Sequence, residues 1–252
     1  MSAAALGFAA ICLASLIGAV GQRALGMGFG LVTVPVLVLV VGPLPAVTAV
    51  NALGAVTSVI VLAQVWRLVD WRRLVWLLLP ALLGVIPGIL LARTADDAVL
   101  KTVVGVLILL GLALTLWLRR AERPLPGDMP VAVTGAVAGV LNGSVGVGAP
   151  ILGIYGALGD WPQRAYAAAL QPFFFVLSVT TVVAKGLLDP AGALPWSWWQ
   201  WLLVCATLVV GVLLGHRIAA HLPERTARTI ILLISLAGGV SVLWSGIAGL
   251  LA

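Results

Sequence analysis

Acidic side chains are scarce in this chain, and they avoid its apolar stretches. Of 252 residues only 8 are Asp or Glu, and all of them (Asp70, Asp96, Asp97, Glu122, Asp128, Asp160, Asp189 and Glu224) fall between hydrophobic runs or at their ends. Proton pumps and cation transporters place carboxylates along the membrane path, so this distribution argues against cation binding and leaves anions. P-loop, HExxH, GxSxG and paired-carboxylate patterns are also missing, so the chain is not expected to be an enzyme. Cysteine and histidine are equally sparse. Cys12 and Cys205 lie in apolar runs with no ligand partner at metal spacing, and His216 and His221 stand five apart, off a common helix face. Neither a metal site nor a redox centre is expected, and no cofactor is called for.

Hydrocarbon is what the chain has in excess. Hydrophobic residues make up 62% and charged residues 9%, against roughly 25% charged in an ordinary soluble domain. Runs such as LVWLLLPALLGVIPGILLA (74–92) and VLKTVVGVLILLGLALTLWL (99–118) approach the roughly 20 residues that a helix needs to cross a bilayer. The expected fold class is an all-α polytopic membrane protein with about 8–10 membrane segments, short broken helices included. The amino-terminal MSAAALGFAAICLASLIGAVG lacks a basic leader and reads as a first membrane helix. Net charge is +6, but the basic residues cluster in short loops, where they set topology; no nucleic-acid partner is expected. The tryptophans, Trp66, Trp71 and Trp76 in one group and Trp196, Trp198, Trp199 and Trp201 in another, read as an interfacial belt.

The chain is written twice. Between residues 70–102 and 197–229 a constant offset of 127 pairs Trp71 with Trp198, Gly84 with Gly211, Gly88 with Gly215 and Thr102 with Thr229. Upstream, GPLPAVTAVNALG (42–54) matches GDWPQRAYAAALQ (159–171) at 117, and at 118 Gly28 and Gly30 fall on Gly146 and Gly148. Residues 1–118 form a first repeat, 119–130 a charged, proline-bearing linker, and 131–252 a second repeat. Each repeat reads as a hydrophobic segment, a glycine-rich break (21–30 or 142–150), a short segment and three longer ones.

Loop charge sets the expected orientation. Arg67, Arg72 and Arg73 follow the 46–66 segment, and Arg119, Arg120 and Arg123 lie two crossings later, so both loops belong on the cytoplasmic side. In the second half Arg217, Arg225 and Arg228 crowd the loop whose counterpart, with Arg93 and Lys101 offset by Asp96 and Asp97, is neutral; Lys185 and Asp189 mark the loop before it. Corresponding loops then face opposite sides, as in an inverted repeat with its site near midplane at the repeat interface.

Unwound backbone at membrane depth must face protein or a polar cavity. A helix starting after a glycine break offers free N–H groups and the positive end of its dipole to an anion. The candidate binding residues are Gly26, Gly28, Gly30 and Thr33 at one break and Asn142, Gly143, Ser144, Gly146 and Gly148 at the other. Asn51, Gln171 and Arg23 are further contributors. Close helix packing is the competing role for the break glycines, interhelical hydrogen bonding for Asn51 and Gln171, and snorkelling for Arg23. Gly84, Gly88, Gly211 and Gly215 read as helix-packing residues.

GMGFGLVTVPVLVLVVGPLPAVTAVNALG and its echo LNGSVGVGAPILGIYGALGDWPQRAYAAAL, with the DW that opens the following helix, resemble the signature regions of the sulfite exporter TauE/SafE family of permeases. The resemblance covers essentially the whole chain. It implies a bacterial inner-membrane permease moving small sulfur-containing or carboxylated anions, often outward. Its glycine-rich regions correspond to Gly26, Gly28, Gly30 and Pro35, and to Asn142, Gly143, Gly146, Gly148 and Pro150. The expected function is a secondary transporter of a small sulfur-containing anion by alternating access, with a passive anion channel as the alternative. Coupling would run through the substrate's own charge or proton. The implied partners are the anion and the lipid bilayer; a homodimer is compatible with the sequence and not required by it.

Overall fold

The computed structural model describes residues 3–26, 28–118, 129–158, 161–189, 196–221 and 224–251. These residues form α1 (Ala3–Leu25), α2 (Phe29–Val41), α3 (Pro43–Val65), α4 (Trp71–Arg93) and α5 (Asp97–Leu118), then α6 (Met129–Val145), α7 (Ala149–Leu158), α8 (Gln163–Leu188), α9 (Trp198–His221) and α10 (Glu224–Leu251). No strand occurs among them, and seven of the helices are long and apolar enough to cross a membrane. The linker 119–130 lies outside the described residues except for its last two, which open α6.

Local chemistry sets the helix ends. Gly42, at φ 87°, turns the chain between α2 and α3, and Pro43 supplies the preset φ of a first helical position. Asp70 caps α4 by accepting the Arg73 N–H at 3.1 Å. Outward faces carry bare hydrocarbon, Leu83 and Leu213 among them, as a lipid-facing surface requires. Trp66, Trp71, Trp76, Trp198 and Trp199 are exposed, whereas Trp161 is buried against Tyr166.

Small residues decide which helices touch. A methyl group on Gly84 or Gly88 would run into the α6 backbone at Ala136 or Val140, and one on Gly135, Gly139 or Gly143 into the α4 carbonyls of Leu77, Ala81 or Val85. With no hydrophobic driving force between helices in lipid, such close approach supplies the packing energy. Gly211 and Gly215 on α9 meet α1 the same way, at Leu16, Ala19 and Val20. Thus α4 packs on α6 as α9 packs on α1, while α3 packs on α8 and α5 on α10.

α1 and α2 form an antiparallel hairpin. A Cβ on Gly7 would touch Val40, one on Gly18 would touch Thr33, and one on Gly28 would lie 3.7 Å from the Gly21 backbone, so α2 runs back along α1. α6 and α7 turn in the same manner, with Gly148 facing Ala138 and Asn142.

α3 begins at Pro43 and α8 at Gln163, and positive φ occurs at Gly26 (78°) and Gly146 (73°); both pairs stand 120 apart, against the 117 and 118 of the sequence similarity. The offset of 127 holds further on, where α4 and α9 begin at Trp71 and Trp198.

Candidate anion site between two hairpin tips

Both tips are built alike. The Gly26 N–H donates to the Gln22 carbonyl at 2.9 Å, and the Gly146 N–H to the Asn142 carbonyl at 3.0 Å. Each glycine adopts the left-handed conformation that an L side chain resists, and a new helix starts within three residues. Gln22 and Asn142 therefore occupy the same position, one turn before each break.

Those two carboxamides brace the centre. Asn142 Nδ2 donates to Asn51 Oδ1 on α3 at 2.7 Å and to Thr181 Oγ1 on α8 at 3.0 Å. Gln22 Nε2 donates to Ser58 Oγ on α3 at 3.0 Å and to Gln171 Oε1 on α8 at 3.1 Å. Each tip is thus tied to both central helices by one side chain. Gln171 Nε2 also donates to the Gly26 carbonyl at 2.9 Å, fixing the first tip directly. All of these side chains are buried, and in a dry interior a satisfied network of this kind rigidifies its surroundings.

A cavity of about 40 Å³ lies between the tips, room for a few waters or a small ion. Gly28 lines it from the first break and Gly30 from α2, Gly146 and Val147 from the second break, Asn51 and Ser58 from α3, and Ser178 from α8, with Phe29 and Phe174 as apolar walls. The N-termini of both short helices border it, bringing unpaired N–H groups and the positive ends of two dipoles. Ser178 is 5% exposed and has no hydrogen-bond partner among the described residues, and Ser58 accepts from Gln22 while its own proton stays uncommitted. The lining contains no charged side chain.

Of the residues singled out from sequence, Gly28, Gly30, Gly146, Asn51 and Asn142 line this cavity. Gly26 belongs to the tip that frames it, and Gln171, on α8, donates to the Gly26 carbonyl. Gly148 packs under α6. Gly143 faces Val85 on α4, and the Ser144 hydroxyl donates to its own helix, at Val140, 2.8 Å away. Thr33 is buried at the hairpin seam, donating to the Ala14 carbonyl at 3.4 Å. Arg23 points away from the cavity, its Nε 2.8 Å from Gln64 Oε1 and its Nη2 2.8 Å from His216 Nδ1.

Gln22, Ser58, Ser178 and Thr181 did not stand out in the sequence. The signal for the serines is spacing: Asn51, Gly54 and Ser58, like Gln171, Phe174 and Ser178, lie at i, i+3, i+7, one face of a helix. Lys185 differs more sharply from expectation. It does not mark a loop but sits inside α8, 1% exposed, with Nζ 3.0 Å from Oδ2 of Asp189, itself 8% exposed. A buried carboxylate thus exists, at the α8 end and neutralised, not in the cavity.

Gly26→Ala is expected to lower stability by roughly 1–2 kcal/mol from left-handed backbone alone. The added methyl also collides with the Cβ of Ala167. Thermal unfolding in detergent checks this, and an unchanged midpoint would rule out the strained tip.

The model of the protein family described as Sulfite exporter TauE/SafE matches residues 8–242, which include both hairpin tips. No curated protein and no solved structure matches the chain.

Proposed function

The chain belongs to the sulfite exporter TauE/SafE family of membrane permeases, and on that premise we propose that it exports a small sulfur-containing anion such as sulfite. It acts as a secondary transporter of the plasma membrane, by alternating access between two inverted halves. The observation that carries this reading is the cavity where two glycine turns meet, bordered by two helix N-termini and lined by neutral donors.

Inversion is supported by the count of crossings. Because α2 returns along α1, the first half has only α3, α4 and α5 left as full crossings, an odd number, so α6 enters from the opposite face. The reciprocal pairing of α4 with α6 and α9 with α1 is what a twofold axis in the membrane plane generates. With the ends of α3, α5 and α9 on one side, the arginine-rich loops all face the cytoplasm.

Anion and donors divide the work. Tip N–H groups and the hydroxyls of Ser58 and Ser178 contact the anion, and Gln22 and Asn142 hold the tips against α3 and α8. Purified protein in proteoliposomes should show saturable sulfite flux stimulated by sulfite on the other side; unsaturable conductance would instead identify a channel. Gly30→Ala is the discriminating variant. A Cβ there has only the Gly146 carbonyl nearby, at 3.7 Å, so the fold tolerates it while the methyl enters the cavity. It should retain the wild-type unfolding temperature in buffer and lose the stabilisation by saturating sulfite, which mass action sets at about 2.7 kcal/mol when ligand is about 100 times Kd. Full sulfite stabilisation in Gly30→Ala would move the site elsewhere.

Asn142→Ala removes two interhelical hydrogen bonds and leaves Asn51 and Thr181 short of a donor. It is expected to destabilise by roughly 1–3 kcal/mol and to cut sulfite flux, both measurable on one preparation. An unaltered flux would show that the brace is dispensable.

A further inference from the structure

We propose that the cavity selects singly charged anions, so that sulfite is carried as hydrogensulfite and not as the dianion. This rests on reading the cavity as the anion site. A helix N-terminus alone would not make the case; the buried, unpartnered Ser178 hydroxyl facing the same space is the independent sign of a ligand.

Charge decides the species. Each helix N-terminus acts as roughly half a positive charge, so two together offset about one negative charge. Nothing else on the lining adds to them: α1 contributes Gln22, α3 Asn51 and Ser58, α6 Asn142 and α8 Ser178, all neutral. Two charged side chains on the helices that line the cavity have partners of their own. Arg23 is off the lining and bonds Gln64 and His216. Lys185 lies two turns of α8 beyond Ser178, about 10 Å along the axis, and Asp189 cancels its charge.

Desolvation points the same way. The Born cost of taking an ion out of water grows with the square of its charge, so a dianion costs roughly four times as much as a monoanion of the same size. Two helix ends and a few hydroxyls offset the smaller cost. The singly protonated anion also brings a donor of its own, and the cavity has acceptors for it: the Oδ1 of Asn142 accepts no bond among the described residues. Loss of that proton removes a hydrogen bond as well as adding charge.

The test uses the full chain in proteoliposomes, with rates corrected for protein-free vesicles. Sulfite flux is measured at fixed, subsaturating total concentration from one pH unit below its second ionisation to two above. Sulfate, doubly charged throughout, and nitrate, singly charged throughout, serve as competitors. The rate should fall about tenfold for each pH unit above the ionisation, nitrate should compete at every pH, and sulfate at none. A rate that holds or rises as the dianion replaces the monoanion, or sulfate competing as well as nitrate, overturns the proposal. Ser178→Ala and Gly30→Ala separate the two levels. If both cut the flux while the dianion is carried, only the charge selectivity fails; if neither changes it, the cavity is not the site and the reading beneath fails too.

Discussion

Lys185→Met should destabilise the protein by about 3–5 kcal/mol, the range for removing one partner of a buried ion pair. The cause is less the lost bond than the charge left behind. Asp189, 8% exposed, has Lys185 Nζ at 3.0 Å; without it the carboxylate is stranded at the negative end of the α8 dipole. Asp189→Asn should be milder, because an amide still accepts from the ammonium, though it too leaves a buried charge uncompensated. Replacing both residues with apolar ones of similar volume should recover most of the stability, since well-packed hydrocarbon commonly does as well as a buried pair. Unfolding midpoints for the two single variants and the double variant form a double-mutant cycle. A Lys185→Met midpoint equal to wild type would mean that the pair is solvated in the membrane-embedded protein.

Gly139→Val should be damaging too. Its Cβ would overlap the Ala81 carbonyl and crowd the Ala81 Cα; these are backbone atoms on a packed helix, with no flexible side chain to swing aside. Overpacking typically costs 1–3 kcal/mol, occasionally more, and here α4 and α6 must separate along their whole seam. Because α6 carries Asn142, separation should also break the bridge to Asn51 and Thr181 and take sulfite stabilisation with it. Gly186→Ala is the control on the same footing. Nothing lies within 4 Å of a Cβ at Gly186, so Ala there should be neutral or stabilise by up to about 1 kcal/mol. Thermal scans in detergent distinguish the two, and equal midpoints for both variants would mean that the α4–α6 contact is looser than the structure has it.

How much of this was legible beforehand depends on the range of the interaction. The membrane class follows from composition, and the helix borders follow from local signals such as Gly42–Pro43 and the Asp70 cap. The two breaks were legible because glycine clusters stand out against hydrocarbon. Their extent was overestimated, at 21–30 and 142–150, because α1 runs on to Leu25 and α6 to Val145; a glycine within a helix and one at its end look alike in a string of letters. Ser144 shows why neighbouring positions part company. Each residue turns about 100° around the helix, so Asn142 reaches the cavity while Gly143 and Ser144, one and two places on, face α4 or their own backbone.

Lys185 and Asp189 illustrate a limit of another kind. A Lys and an Asp four residues apart at a helix end read the same on a solvated surface as in a sealed interior, and only the packing around them distinguishes the two. Gln22 was masked by the loop register: at an offset of 118 it has no polar counterpart, and at the 120 set by Gly26 and Gly146 it falls on Asn142.

The sequence by itself determined that this chain lives in a bilayer, that it breaks its helices twice, and that it has few acids to offer a cation, because hydropathy, glycine and charge act locally. Only the tertiary structure decided that the two breaks meet. It also decided that Gln22 and Asn142 tie them to α3 and α8, across 36 to 149 residues of chain, and that a cavity of neutral donors remains between them. Those contacts depend on helix rotation and on glycine seams that bring backbones together, and neither is written at any single position.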